Sequence, residues 1–237
     1  MEMPDAYFYL ASLSRVTEVL TLDEPASRHI VQVLRMQEGE AFVLTDGMGL
    51  RAVATILDAH KKHCRVKISE KKFQKSDASH VTVALSVLKN SNRFEWFLEK
   101  ATELGVSEII PLKCSRTEKQ QFRMERMHSI VESALIQSQQ SWMPLLQEPV
   151  SFDDFVGQAV SDQKFIAHCG RGEKRQLSEM INTSLSSQLI LVGPEGDFTN
   201  EEISMARQAG FIAVHLGDHR LRSETAAVAA AAVLKLI

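Results

Sequence analysis

The sequence predicts an α/β protein: a small strand-rich segment followed by a longer one in which strands and helices alternate around a parallel sheet. Three observations carry that expectation. From His80 onward, apolar runs of strand length such as 81–87 and 188–192 alternate with segments whose apolar residues recur at helical spacing. Two capping signatures, Asn92 with Glu95 and Thr199 with Glu202, mark helix starts, and Gly105 and Gly210 mark helix ends. Residues before about 72 instead read as several strands with one helix, which predicts a small β-barrel.

Taken in order, Asp23-Glu24-Pro25 reads as a helix start with proline in the first turn, and Ile30, Val33 and Leu34 as that helix's apolar face. Residues 41–45 form a strand and Asp46-Gly47 a tight turn; 50–57 and 63–69 are further strands. The polar stretch 71–79 separates a domain of residues 1–72 from one of residues 73–237. Beyond it come a strand at 81–87, a helix presenting Phe94, Phe97, Leu98, Ala101 and Leu104, a strand at 108–112 and a helix from Met124 to about Gln139. Strands at 164–169 and 188–192, a helix from Thr199 to Gly210, a strand at 211–216 and a helix at 223–237 complete the chain.

The composition fits a globular protein: 237 residues, 44% hydrophobic and 24% charged, long enough for two domains of unequal size. No apolar run approaches the roughly 18 residues of a membrane span, and the acidic opening Met1-Glu2-Met3-Pro4-Asp5 lacks a signal core, so a cytoplasmic protein is expected. Cys64, Cys114 and Cys169 are odd in number and widely spaced, which predicts small buried or half-buried thiols and neither a disulfide framework nor a zinc site. The net charge of −3 hides an asymmetry: residues 60–75 carry +6 and 113–126 carry +3, whereas 127–237 carry −5. A basic face on a mildly acidic chain suits phosphate binding, or else protects an edge strand with lysines.

In open α/β sheets, ligands bind beyond the carboxyl ends of strands. Two loops leave predicted strands directly: Gly193-Pro194-Glu195-Gly196-Asp197-Phe198, and Gly217-Asp218-His219-Arg220-Leu221-Arg222-Ser223-Glu224-Thr225. The glycines permit close backbone approach to a ligand; the plainer readings are a chain reversal for the first loop, and helix capping with surface ion pairing for the second. The dinucleotide and P-loop glycine patterns are absent, as are the G-x-S-x-G and H-E-x-x-H signatures. The eight histidines show no metal-ligand spacing, so no metal is expected.

Read together, Gly193-Pro194-Glu195-Gly196, Phe198, Thr199-x-x-Glu202, Leu216-Gly217 and Leu221-Arg222-Ser223-Glu224-Thr225-Ala226 resemble the RsmE-type family, the ribosomal RNA small-subunit uridine-N3 methyltransferases of the SPOUT superfamily. Lys100-Ala-Thr-Glu-Leu-Gly-Val-Ser-Glu-Ile-Ile-Pro111 and Arg28-His29-x-x-x-Val33-Leu34-Arg35 extend the likeness over the whole chain. The resemblance implies an N-terminal PUA-like RNA-binding barrel, a C-terminal SPOUT domain with a trefoil knot, a homodimer, and methylation of a uridine N3 in 16S rRNA of the small ribosomal subunit. It also implies S-adenosyl-L-methionine as cofactor, held by Val192, Gly193, Glu195, Gly196, Leu216, Gly217, Leu221, Ser223 and Thr225. The chain departs from the family pattern at Asp197 (usually Gly), Ser223 (usually Thr), 89–93 and 137–140. Asp197 is tolerable where the backbone needs no positive φ.

Uracil N3 reacts once its proton has left, and a cation aimed at O2 and O4 stabilises the resulting anion. Arg222 is the first candidate and Arg93 the second; Glu195, and after it Glu224, is the candidate proton acceptor if burial raises its affinity for a proton. N3 lies on the pairing edge, so the base must be unpaired and the surrounding RNA gripped. Arg28, Arg35, Arg51, Lys61, Lys62, Arg65, Lys67 and Lys89 are the candidate contacts, with Arg116 and Lys119 extending the track. Two alternatives remain open: a SPOUT enzyme acting on another RNA, such as a transfer RNA ribose hydroxyl, and a non-catalytic RNA-binding assembly factor.

Overall fold

A computed structural model describes residues 6–13, 18–118 and 121–237. The opening residues 1–5 and Lys119 lie outside that set. The chain divides into two compact units: residues up to Ser76 together with Leu135–Trp142, and Asp77–Ala134 together with Met143–Ile237.

The first unit is a five-stranded sheet in the order β1 (Tyr7–Tyr9), β3 (Ala41–Thr45), β4 (Leu50–Asp58), β5 (Arg65–Phe73) and β2 (Val19–Thr21). Only β1 and β3 pair in parallel. Strand β5 alternates as a half-buried strand should: Val66 and Ile68 point into the core with Phe42, Leu44 and Ile56, and Arg65 and Lys67 are exposed. It continues to Phe73, into the stretch expected to be linker. Asp46 closes the turn between β3 and β4 by accepting the Met48 and Leu50 N–H groups. Helix α1 (Glu24–Arg28) starts as expected, with Asp23 accepting the Ala26 N–H, but it passes at once into a π-helical turn, His29–Val33. The wider turn moves residues off the α-helical stripe. Ile30 is buried, whereas Val33 and Leu34 are exposed, which corrects the expected apolar face.

The second unit is a three-layer α/β/α arrangement. Its main strands are β6 (His80–Ser86), β7 (Glu108–Lys113), β10 (Gln163–Ala167), β12 (Ser187–Val192) and β13 (Ile212–His215), all parallel. They stand in the order β13-β10-β12-β6-β7, with two-residue β11 (Arg175–Gln176) beyond β13 and β8 (Leu145–Leu146) and β9 (Val150–Ser151) on β7. Alternate strand residues feed two cores, because successive side chains leave opposite faces. Val83, Leu85, Phe165, Ile190 and Val214 pack against α2 (Ser91–Glu103), α3 (Met124–Gln137) and α7 (Ser223–Leu236). Ala84, Ile110, Ile166, Leu189 and Leu191 pack with residues of α4 (Phe152–Gln158) and α6 (Asn200–Gln208). A further, one-turn helix, α5 (Leu177–Met180), also joins the first of these cores through Leu177.

The helix ends show where local signals hold. Thr199 accepts the Glu202 N–H and Glu202 the Thr199 N–H, so α6 opens on a complete capping box. Helix α2 does not: Asn90 caps it, and Glu95 turns instead to Arg126, with two contacts of 2.7 Å. Among the described residues no helix is long and apolar enough to cross a membrane.

Candidate active site

Strands β13, β10 and β12 lie side by side and parallel, so their carboxyl ends open along one edge of the sheet. The loops leaving them, 168–174, 193–198 and 216–222, surround a cavity of about 740 Å³. That size falls within the roughly 300–1000 Å³ typical of small-molecule sites, at the place where open α/β sheets bind ligands. The strand ends contribute Ala167, Val192 and Val214, while Arg93 reaches it from the first turn of α2 and Ala226 from α7.

Of the residues expected to hold a cofactor, Val192, Gly193, Glu195, Leu216, Gly217, Leu221 and Ser223 line this cavity; Gly196 and Thr225 do not. The glycines serve different purposes. A Cβ on Gly193 would lie 3.1 Å from the Phe198 ring, and one on Gly196 would lie 3.3 Å from Cδ of Arg116. The room these two leave is therefore filled by protein, not kept open for a ligand. Gly217 differs: its φ is +125° and nothing lies within 4 Å of the position a Cβ would take. Asp197 adopts φ +61°, so the condition for tolerating it in place of glycine is not met. Its side chain compensates: Oδ1 accepts the Phe198 N–H at 2.9 Å and Oδ2 the Cys169 N–H at 2.8 Å, tying loop 193–198 to loop 168–174.

Two braces hold the 193–198 loop. Arg116 donates to the carbonyls of Gly196 (2.7 Å) and Phe198 (3.4 Å). The buried Glu202 accepts the Ser115 N–H at 2.8 Å in addition to capping α6. Arg116, expected on the RNA track, is thus engaged with the loop. Lys89 is paired to Glu118 at 2.6 Å, and its N–H donates to Glu195 Oε1 at 3.2 Å. Glu195 is exposed, so the burial that was to make it a proton acceptor is absent.

Glu224 is the buried carboxylate, in the first turn of α7, but it does not line the cavity. Its Oε1 lies 3.6 Å from Nε of Arg93, and its Oε2 is buried without a hydrogen-bond partner. Arg222 lines the cavity and is exposed; as the N-cap residue of α7 it makes no side-chain capping bond. Ser223 is the first helical residue, which removes the simple capping reading for Ser223 and Thr225.

Loop 168–174 escaped the sequence reading, although it leaves a predicted strand as the other two do. Cys169 is exposed at the cavity, contrary to the expectation for the thiols; Cys64 and Cys114 are buried. Burial, with Glu202 beside it, pushes the Cys114 thiol up to about 12, so it stays protonated. Lys174 donates to the carbonyls of His168 (2.9 Å) and Gly170 (2.8 Å) and so shapes the loop. His168 is 7% exposed, and neither ring nitrogen has a partner. Burial, and then the Lys174 charge, hold its imidazole below the usual range, so it is neutral.

In the first unit Lys61, Lys62, Arg65 and Lys67 are all exposed. Arg28 pairs with Glu24 at 3.1 Å, and Lys62 lies 3.7 Å from the same carboxylate. Arg35 is exposed with φ +57°. Arg51 bonds inward, to the Ser141 hydroxyl and to the Gln139 carbonyl at 3.0 Å. Among the described residues no group of three or more His, Cys, Asp or Glu is placed to hold a metal ion.

The RNA methyltransferase domain family matches residues 74–235, and the RNA methyltransferase PUA domain family matches residues 22–69. The chain is 31% identical over 239 residues to the ribosomal RNA small subunit methyltransferase E of Synechocystis, covering 98% of this chain and 78% of that protein. It superimposes on a probable rRNA-methyltransferase of Porphyromonas gingivalis with a TM-score of 0.89 at 29% identity, over 98% of both chains. It superimposes equally well, with a TM-score of 0.87 at 29% identity over 99% of this chain and 98% of the other, on the Neisseria gonorrhoeae ribosomal RNA small subunit methyltransferase E solved bound to S-adenosyl methionine. With both units matched in order and the likeness running the length of the chain, the protein belongs to the RNA methyltransferase domain family and, within it, to the ribosomal RNA small subunit methyltransferase E group.

Proposed function

We propose that this chain methylates N3 of a uracil in 16S rRNA, using S-adenosyl-L-methionine held in the cavity at the ends of β10, β12 and β13. The observation that carries the reading is that cavity, with three arginines, Arg93, Arg220 and Arg222, at it. The residues fit the cofactor: apolar strand ends suit an adenosyl group, Gly217 leaves open space, and Lys174 and Asp218 supply both charges that an amino-acid moiety requires. Val192, Gly193, Leu216, Gly217, Leu221 and Ser223 would hold it. S-Adenosylmethionine supplies a methyl group on a sulfonium that leaves as a neutral thioether.

The chain's task is then to orient the base and stabilise its charge. As N3 bonds to the methyl carbon, its proton leaves and negative charge spreads to O2 and O4. Arg222, whose exposed side chain makes no capping bond to α7, meets that charge. Arg93 is the second cation, and Glu224 is the residue that positions it. Glu195 lines the cavity together with Asp197 and Asp218; none of the three is buried, and the N3 proton leaves to water. The unit spanning residues 1–72 grips RNA through Lys61, Lys62, Arg65 and Lys67, and residues 73–237 carry the chemistry. We extend to this chain the family's trefoil knot, homodimer and cytoplasmic location, the dimer being measurable by sedimentation.

The test is nucleoside mass spectrometry of 16S rRNA from a deletion strain, before and after incubation with protein and cofactor. The expected result is loss of 3-methyluridine in the strain and its restoration in vitro. Unchanged 3-methyluridine in the strain would reject the substrate, and a methylated transfer RNA ribose would move the enzyme to another target. A folded chain that shows no calorimetric binding of S-adenosylmethionine would reject the enzyme altogether.

A further inference from the structure

A second cavity, of about 210 Å³, lies on the first unit between β4 and β5, lined by Arg51, Val53, Glu70, Lys72 and Phe73 among others. Its construction is unusual in three respects. Arg51 and Lys72 are direct cross-strand partners, and like charges placed opposite each other in an antiparallel pair destabilise it. The pairing then slips: Ala52 faces Lys71 while Ala54 faces Ile68, so β5 carries one extra residue, a bulge of the kind that re-aims side chains beside functional sites. Finally, Phe73 is 64% exposed, although it is a large aromatic in an otherwise basic stretch.

The aromatic is held in place. Its ring meets Trp142 edge to face at 5.9 Å, and the Trp142 indole N–H donates to the Gln74 carbonyl at 2.9 Å. Gly49 makes this possible: at φ +95°, a Cβ there would lie 2.6 Å from Trp142 Cζ2 and 2.9 Å from Phe73 Cε2. Arg51 is fixed by the Ser141 hydroxyl and the Gln139 carbonyl, while Lys72 makes an exposed contact with Glu70 at 3.3 Å, a pair that adds little. The result is a fixed guanidinium and an exposed ammonium next to a braced, solvent-facing ring.

We propose that this cleft is a subsite for one unpaired nucleotide of RNA, with the base stacked on Phe73 and its phosphate neutralised by Lys72 and Arg51. An anion relieves the repulsion of the opposed cations, and a flat π-system is the natural partner of an exposed ring beside them. The surrounding charge, +6 over residues 60–75, favours a nucleic acid over an apolar protein segment. The inference rests on the RNA-modifying reading above, but its site is separate from the cofactor cavity.

The test uses the full chain and two probes: a short single-stranded oligouridylate, and the same backbone with its bases removed. Affinities are read from Trp142 fluorescence in a Trp96→Phe background, which leaves Trp142 as the sole tryptophan. The expected result is that the intact oligomer binds about tenfold tighter than the abasic one, the lower part of the range for one base–aromatic stack. In Phe73→Leu that ratio falls below about twofold, and in Phe73→Tyr it is retained. An unchanged ratio in Phe73→Leu overturns the proposal. So does a change of sedimentation coefficient in that variant, which would assign the face to a second copy of the chain. Photo-crosslinking of wild type with a 4-thiouridine oligomer needs no substitution: attachment within 70–74 supports the subsite, and attachment only elsewhere refutes it. Calorimetry with S-adenosylmethionine on the same samples keeps the two readings apart, since loss of cofactor binding leaves the base discrimination untouched.

Discussion

Asp197 holds a backbone conformation that costs roughly 1–2 kcal/mol for a residue with a Cβ. Its two N–H acceptances offset that cost and join the two loops flanking the cavity. Alanine keeps the cost and loses the bonds, whereas glycine loses both. Asp197→Ala is therefore expected to lower Tm by about 2–8 °C and to weaken cofactor binding, with Asp197→Gly milder in both. A glycine variant worse than the alanine one would contradict this account. At the opposite loop, Arg222→Ala should leave Tm and cofactor affinity unchanged while single-turnover methyl transfer falls about 10²–10³-fold, the scale for removing one preorganised charge stabiliser. Near-native turnover would remove Arg222 from the reaction. His168 adds a pH signature. Its folded-state proton affinity is depressed, so the unfolded chain binds the proton more readily. The stabilising contribution is complete above the unfolded value of about 6.5 and declines as pH falls toward the lower folded value. Replacing His168 with Leu should flatten the acid-side loss of Tm, and an identical Tm–pH curve would show that another group controls it.

At the scale of the element, what sequence discloses depends on how far a side chain's partner lies along the chain. The Thr199–Glu202 box is a three-residue relationship, and it forms as written. Thr199→Ala should therefore cost about 1 kcal/mol, seen as a Tm drop of roughly 2–4 °C; no drop would mean that the loop already satisfies the helix's first N–H groups. The same pattern at Asn92 and Glu95 is not realised, because Asn90 caps first and Arg126, distant in sequence, captures the carboxylate. Ile30, Val33 and Leu34 mislead for a different reason: helical periodicity assumes an α register, and the π turn breaks it. Strand existence, Gly105 and Gly210 as helix ends, and the two glycine-bearing loops are legible since they are local. The third loop follows a legible strand too and is as local as they are; the Asp197–Cys169 tie and the Arg116 brace are not legible, because each needs strands far apart in sequence to be neighbours first.

For the whole molecule, the uneven charge makes a prediction that no single contact makes. Lys61, Lys62 and Lys67 are exposed on the basic unit, and changing all three to Ala removes up to three phosphate contacts. The slope of log affinity against log salt for single-stranded RNA should then become shallower by about 2, with cofactor binding unaffected. A slope equal to wild type would place the phosphate contacts on another surface.

The strand order of the second unit also governs how the chain comes to fold. Strand β6 sits mid-sheet between β7 and β12, and His80 is in register with Ser187. A ribosome making this protein has therefore released most of the chain before β6 can acquire its second neighbour. Until then one side of an apolar strand waits unpaired, a state open to association with other nascent chains. The ligand cavity, built on β10, β12 and β13 and lined as far as Ala226, is completed only after residue 226 has emerged. Binding competence thus waits for this segment and arrives all at once, so chains truncated before β13 should aggregate rather than persist as partly active fragments.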